Sequence, residues 1–173
     1  MEKLTAGRPE DALLDAQKAI GLDSTSANAY FLRARAADDI GLKADALKDY
    51  DKAIGLNPKF AKAYSNRALI KAGQGNLKGA MADMDTAITL DPKLAAAYVN
   101  RGVAHGAMGN RKAAINDFSK AISLNPKHEN AYRNRGITRE MNGEIKGACA
   151  DWKMAAALGQ KDAASWYQNQ CSK

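Results

Sequence analysis

Residues 27–60 read ANAYFLRARAADDIGLKADALKDYDKAIGLNPKF. Two apolar-periodic segments are visible, from about Ala27 to Ile40 and from about Ala44 to Leu56, with the spacing of one helix face. Gly41 stops the first, because glycine takes the left-handed cap conformation at little cost. Asn57-Pro58 ends the second, since the residue before proline avoids the helical region. Connections of three to five residues fit antiparallel helix pairs. The stretch therefore predicts a helical hairpin.

The stretch recurs. Tyr30, Tyr64, Tyr98 and Tyr132 stand 34 residues apart, and Trp166 continues the series. Pro58, Pro92 and Pro126 share the period. So do Ala12, Ala46, Ala80, Ala114 and Ala148, and Ala19, Ala53, Ala87, Ala121 and Ala155. Isoleucines recur from Ile20 to Ile122, leucines from Leu22 to Leu158, and glycines from Gly7 to Gly143. So many series in one phase establish an internal repeat. The units are 27–60, 61–94, 95–128 and 129–162, with a partial unit over 1–26 and a capping helix over 163–173. By phase, residues 1–6 are the last turn of a first helix. That leaves two expectations: a fragment of a longer protein, or an open end that another chain covers.

Composition agrees with a helical chain. Of 173 residues 35 are alanine, with only two valines and five threonines, which argues against a sheet. No stretch approaches a membrane span, and the first residues lack the apolar core of a secretory signal. The net charge of +7 permits an acidic partner without requiring one.

The pattern resembles the tetratricopeptide repeat family over essentially the whole chain. The family's first aromatic is Tyr30, Tyr64, Tyr98, Tyr132 and Trp166, and its second-helix alanines are the two series above. Its second-helix aromatic position holds Tyr50, Met84, Phe118 and Trp152, but Ala16 in the first unit. Arginine replaces the family's leucine at Arg33, Arg67, Arg101 and Arg135. Ala37, Lys71, His105 and Arg139 replace a later tyrosine. These departures resemble a bacterial Tyr-x-x-Arg-Gly variety. The resemblance implies an all-α solenoid of helix-turn-helix units, wound as a right-handed superhelix, in which each unit buries its apolar face only against its neighbours.

Asp15, Asp49, Asp83, Asp117 and Asp151 are also 34 residues apart. Counting outward from the Asn-Pro turn puts each aspartate level with the arginine of the next unit. That predicts an inter-repeat ladder of Asp15–Arg33, Asp49–Arg67, Asp83–Arg101 and Asp117–Arg135. The rival pairing lies within a unit, as Arg33–Asp49. Solvated face charges are the bland alternative.

No catalytic residue and no metal site emerge. His105 and His128 have no Cys, Asp or Glu at ligand spacing. No nucleophile motif or phosphate loop is present, and no cofactor is expected. Aromatics are 6% and mostly in core phase, so few remain to stack on bases, and nucleic acid is not an expected partner. Cys149 and Cys171 leave two readings open. A bridge between the last full second helix and the cap would be worth ~3 kcal/mol in the loop-entropy model. Otherwise one is a small packed residue and the other an end thiol, and the redox compartment stays open.

By resemblance, a peptide or helical segment of a protein partner would lie in the concave groove lined by first helices. The groove slots hold Phe31, Arg35, Lys62, Ser65, Asn66, Leu69, Val99, Asn100, Val103, Arg133, Asn134, Ile137 and Met141. Three asparagines in one row can each donate and accept, which suits a peptide backbone. Their alternative use is in contacts between helices. Lys62, Arg35 and Arg133 would favour an acidic or carboxylate-ended ligand. The paired basic residues with which chaperone-adaptor members hold a C-terminal carboxylate are missing, since the relevant slots hold pairs such as Ser65/Leu69 and Asn130/Asn134. The expected function is a non-catalytic interaction scaffold. The runner-up is homo-oligomeric self-assembly through the N-terminal end or the convex face.

Overall fold

The computed structural model describes residues 8–171. Ten helices run through them: α1 (Pro9–Leu22), α2 (Ala27–Asp39), α3 (Lys43–Leu56), α4 (Ala61–Gly73), α5 (Leu77–Leu90), α6 (Ala95–Ala107), α7 (Arg111–Leu124), α8 (Glu129–Met141), α9 (Ile145–Ala157) and α10 (Lys161–Cys171). No strand occurs among the described residues. The hairpins α2–α3, α4–α5, α6–α7 and α8–α9 open at Ala27, Ala61, Ala95 and Glu129. The first six residues, expected to be the end of a first helix, lie outside the described residues.

The turns repeat because two chemistries repeat. Within each hairpin the first helix ends on a glycine in the left-handed region, as at Gly75 with φ 80°. Two crossed backbone bonds close that turn, Gly75 N–H to the Ala72 carbonyl (3.0 Å) and Asn76 N–H to the Lys71 carbonyl (2.9 Å). An L side chain at that φ is strained, which is why the glycine series exists. Between hairpins the turn is made by an Asn or Asp side chain. Asn57, Asp91 and Asn125 each accept the backbone N–H two residues on, at 3.0 Å. The following proline cannot extend the preceding helix. Before α10 the connection differs. Gly159, with φ 103°, closes a three-residue link, and α10 starts at Lys161, two residues ahead of the period.

The chain divides into two compact units, Met1–Leu90 and Asp91–Lys173. In the first, Phe31, Ala34 and Ala37 of α2 cluster with Ala46, Tyr50 and Ala53 of α3 and with Ala63 and Ile70 of α4. In the second, Ala148, Trp152 and Ala155 of α9 cluster with Ala163 of α10, with Tyr132 and Trp166 packed alongside. The periodic alanines from Ala46 onward are wholly buried. Alanine at these places lets helix backbones approach, and one large residue per second helix fills the space beside them. In α1, Ala12 and Ala19 are exposed. Their equivalents are covered by the first helix of their own hairpin, and the described residues hold no such helix for α1.

The ion pairs form within repeats, against the expected inter-repeat pairing. Arg33 bonds Asp49, Arg67 bonds Asp83, Arg101 bonds Asp117 and Arg135 bonds Asp151, each through Nε and Nη2 to the two carboxylate oxygens at 2.6–2.9 Å. Asp15 has no part in the ladder and contacts Lys18 on its own helix. The fork of each arginine meets the aspartate sixteen residues on, across its own hairpin. The remaining amino group does reach back to the previous second helix, but to a residue two places beyond the predicted aspartate. Arg33 Nη1 donates to Gln17, Arg67 Nη1 to Asp51 (2.6 Å) and Arg135 Nη1 to the Ser119 hydroxyl (2.9 Å). Arg33, Arg67 and Arg135 thus use the fork within the repeat and the third donor on the neighbour. The tyrosine three residues earlier lies under each guanidinium, 5.3–5.7 Å from its carbon.

Candidate functional site

The predicted groove residues separate into two groups. Phe31, Ser65 and Val99 are buried and line no surface. Phe31 packs its ring 4.8 Å from Phe60 and 6.0 Å from Tyr50, so its slot is core. Arg133 is committed as well. It bonds Asp162 of the cap at 2.6 Å and lies over the Trp166 ring at 5.1 Å, so its charge is already paired. Burial pushes the Asp162 carboxyl up, but the Arg133 hydrogen bond and the Ala163 N–H outweigh it and hold it below its ordinary value.

The asparagine row serves the fold at least in part. Asn66 donates its amide to the Tyr50 hydroxyl at 3.2 Å, and Asn134 accepts from Arg133 Nη1 at 3.3 Å. Asn66, Asn100 and Asn134 are all partly buried. Tyr50 is fully buried, and burial pushes its phenol up to about 12 against the opposing pull of the Asn66 bond.

What remains on the first helices is apolar and open. Leu69 on α4 is 43% exposed, Val103 on α6 is 45% and Met141 on α8 is 59%. Arg35 and Lys62 are exposed, and Ile137 is partly so. In the first unit a hollow of about 400 Å³ lies beside Leu69, lined also by Ile70, Gly73, Gln74, Asp38 and Lys43. Asp38 is not a free face charge there, because the Lys43 ammonium donates to its carboxylate and to its backbone carbonyl. The hollow has a mixed lining and a volume near the lower end of the range of ligand sites.

His105 Nε2 stands 3.9 Å from Asp117, where Lys71 and Arg139 stand 2.8 and 2.7 Å from their own aspartates. Asp83 and Asp151 thus have a second cation beside them, and Asp117 has an imidazole. The sequence signal for these contacts was the slot shared by Lys71, His105 and Arg139, twelve residues before the aspartate. No group of three or more His, Cys, Asp and Glu side chains among the described residues could hold a metal ion. No described helix is long and apolar enough to cross a membrane. Cys149 Sγ and Cys171 Sγ are joined at 1.96 Å, linking α9 to the last residue of α10.

Models of the tetratricopeptide repeat match residues 1–58, 31–95 and 95–128. The chain belongs to the tetratricopeptide repeat family. Among solved structures it is similar to MamA, at 26% identity over 90% of this chain and 91% of that one, with a TM-score of 0.72. A thermophilic TPR protein of Thermus thermophilus is similar at 20% identity over 94% and 90% of the two chains, with a TM-score of 0.79. YrrB, described as a TPR protein with an unusual peptide-binding site, is similar at 20% identity over 92% and 83%, with a TM-score of 0.68. At 20% identity the last two likenesses show the fold. No curated protein sequence matches the chain. Tetratricopeptide repeats are protein-interaction modules, and this chain is built as one.

Proposed function

We propose that this tetratricopeptide protein is a non-catalytic scaffold that holds a peptide or helical segment of another protein against the exposed faces of its first helices. One observation carries the reading. Leu69, Val103 and Met141 project from first helices as large apolar side chains with no described core to enter. Exposed apolar groups on the first helices of a repeat protein are a usual mark of an interaction surface. Partly buried asparagines lie in the same helices at Asn66, Asn100 and Asn134, and Lys62 adds positive charge. The hollow beside Leu69 would take one apolar side chain of the ligand.

The test is capture from the source organism's lysate with the full chain, comparing wild type with Leu69→Glu and with Val103→Glu. Both positions are exposed, so both variants should keep their helix content and melting behaviour. A protein held by wild type and released by either variant supports the scaffold reading and identifies the ligand. If nothing captured depends on Leu69 or Val103, the reading fails. A solution mass above that of one chain would then bring self-assembly forward.

A further inference from the structure

The positive charge of the chain lies in its second unit. Residues 91–173 hold 13 lysines and arginines against 7 aspartates and glutamates, whereas residues 1–90 hold 13 against 12. Within the second unit the excess collects on the second helices. Lys112, Asn116 and Lys120 of α7 recur at the spacing of one helix face, and so do Lys146, Ala150, Lys153 and Ala157 of α9. All of them are exposed. Neither helix exposes an acid to oppose them, because Asp117 and Asp151 are buried and bonded to Arg101 and Arg135. In the first unit α3 is mixed instead, with Asp45 and Asp51 exposed among Lys43, Lys48 and Lys52.

α7 and α9 begin at neighbouring turns. A hollow of about 420 Å³ is lined by Gly109, Asn110, Arg111, Lys112 and Ala113 of one turn and by Asn142 of the next. Arg111, Lys112 and Lys146 are exposed and form no ion pair among the described residues. The acids at this end are Glu140, which is partly buried, and Glu144, which accepts from the Asn142 amide at 2.6 Å and faces Arg139 at 3.7 Å. Large apolar side chains stand out beside the cations. Met108 is 49% exposed, Ile145 is 47% and Met154, next to Lys153, is 43%.

We propose that this face of α7 and α9 docks on an anionic lipid bilayer. The lysines lie over the headgroups, the hollow at Arg111 and Lys112 takes one anionic headgroup, and Met108 and Ile145 enter the acyl boundary. Three considerations select a bilayer as the occupant. Protein interfaces are depleted of lysine at their centres, whereas here lysine holds the centre with only small or polar residues between. A nucleic acid strand is held by exposed aromatics that stack on its bases, and the aromatics of α7 and α9, Phe118 and Trp152, are buried. An anionic leaflet attracts each lysine near its surface and admits apolar side chains without a fitted pocket. The face lies on second helices and does not rest on the roles of Leu69 and Val103.

The test is sedimentation of the full chain with vesicles of phosphatidylcholine alone and of phosphatidylcholine with about a third phosphatidylserine. The chain should sediment with the second and stay in solution with the first. Lys112→Gln combined with Lys153→Gln should weaken binding about 25-fold, at about fivefold for each lysine. Arginine at both positions should restore it. Met108→Ser combined with Ile145→Ser should weaken binding about fivefold or more, by removing the apolar contact. All four positions are exposed, and circular dichroism checks that the variants keep their helices. Leu69→Glu, which tests the scaffold surface, should leave vesicle binding unchanged. Equal sedimentation with the two vesicles, sedimentation with neither, or indifference to either double variant would overturn the proposal. Loss of vesicle binding in Leu69→Glu would do the same by moving the contact to the first helices. Release of the bound chain by poly-glutamate at a charge equal to that of the lipid would also overturn it, by assigning the face to an acidic polypeptide.

Discussion

Arg67 and Asp83 face each other across one hairpin with two parallel hydrogen bonds, Nε to Oδ2 at 2.8 Å and Nη2 to Oδ1 at 2.6 Å. Asp83 is almost completely buried, with 7% of its side chain exposed, while Asp51, which takes the third donor of Arg67, is 63% exposed. The hydrogen bond that Arg67 donates to Asp83 is the main reason its guanidinium holds its proton more tightly than usual, against the opposing effect of burial. The two acceptors should therefore differ in worth. Removing Arg67 leaves a buried carboxylate with Lys71 alone, and Arg67→Ala should cost about 3 kcal/mol. Asp51→Ala removes an exposed partner and should cost under about 1 kcal/mol. Urea unfolding of both variants measures the difference. Equal costs would mean that the pairing within the repeat is no more than a face charge.

The helical glycines divide by what they face. Gly136 and Gly102 meet the rings of Trp152 and Phe118, whereas a Cβ on Gly55 would meet nothing within 4 Å. Gly55→Ala should raise stability by about 0.5–1 kcal/mol through helix propensity. Gly136→Ala should lower it by about 1–3 kcal/mol, because the indole cannot yield without leaving its packing. Combining Gly136→Ala with Trp152→Phe should restore part of the loss. Thermal melts of the three variants suffice, and a stabilising Gly136→Ala would show that the close approach is not a constraint.

These contrasts indicate how far the sequence could be read. Tyr30, Gly41, Ala46 and Pro58, each repeated at 34 residues, specify helix, stop, close packing and turn, and local chemistry decides all four. The partner of Arg33 was not legible. Asp15 stands eighteen residues before Arg33 and Asp49 sixteen after it, and spacing alone does not choose between them. Phe31 and Val99 look like groove residues because their slots line grooves in relatives. The large residue at Tyr50 or Phe118 draws in its neighbours according to size, which no single-slot rule encodes. The cap was legible as a face pattern around Trp166. Its early start at Lys161 was not, because it follows from Gly159 closing the link in place of an Asn-Pro turn.

Tyr50 links packing to alkaline stability. Its phenol is pushed from an ordinary 10.0 up to about 12, mainly by burial. The sign follows from proton counts. Between those values the unfolded chain has lost this proton and the folded chain still holds it. The contribution is fully present below pH 10 and is lost as pH rises toward 12. Urea stability should therefore fall across that window, and Tyr50→Phe should fall less steeply from a lower starting point, since Asn66 loses its acceptor. Tyrosine absorbance at 295 nm should show one late-ionising group in the wild type that the variant lacks. Identical slopes in the two proteins would remove Tyr50 as the cause.

The cap is held by three contacts of different kinds, and reduction separates them. Trp152 and Trp166 pack at 5.7 Å, Arg133 bonds Asp162, and the sulfurs of Cys149 and Cys171 join helices whose cysteines are 22 residues apart. Closing a loop of that size restricts the unfolded chain by an amount worth about 3 kcal/mol. The packed rings and the ion pair do not depend on the bond, so α10 should stay docked in the reduced protein but open more readily. Reduction with a phosphine, or Cys171→Ser, should lower the stability of the second unit by about that amount while leaving helix content at 25 °C nearly unchanged. Hydrogen exchange should rise in residues 161–171 and in the last turn of α9, but not in α2–α5. Tryptophan emission should remain that of the docked state, with Trp152 buried, until denaturant is added. Complete loss of α10 on reduction would instead make the bond the principal attachment, with the Trp152–Trp166 contact too weak to hold an eleven-residue helix alone.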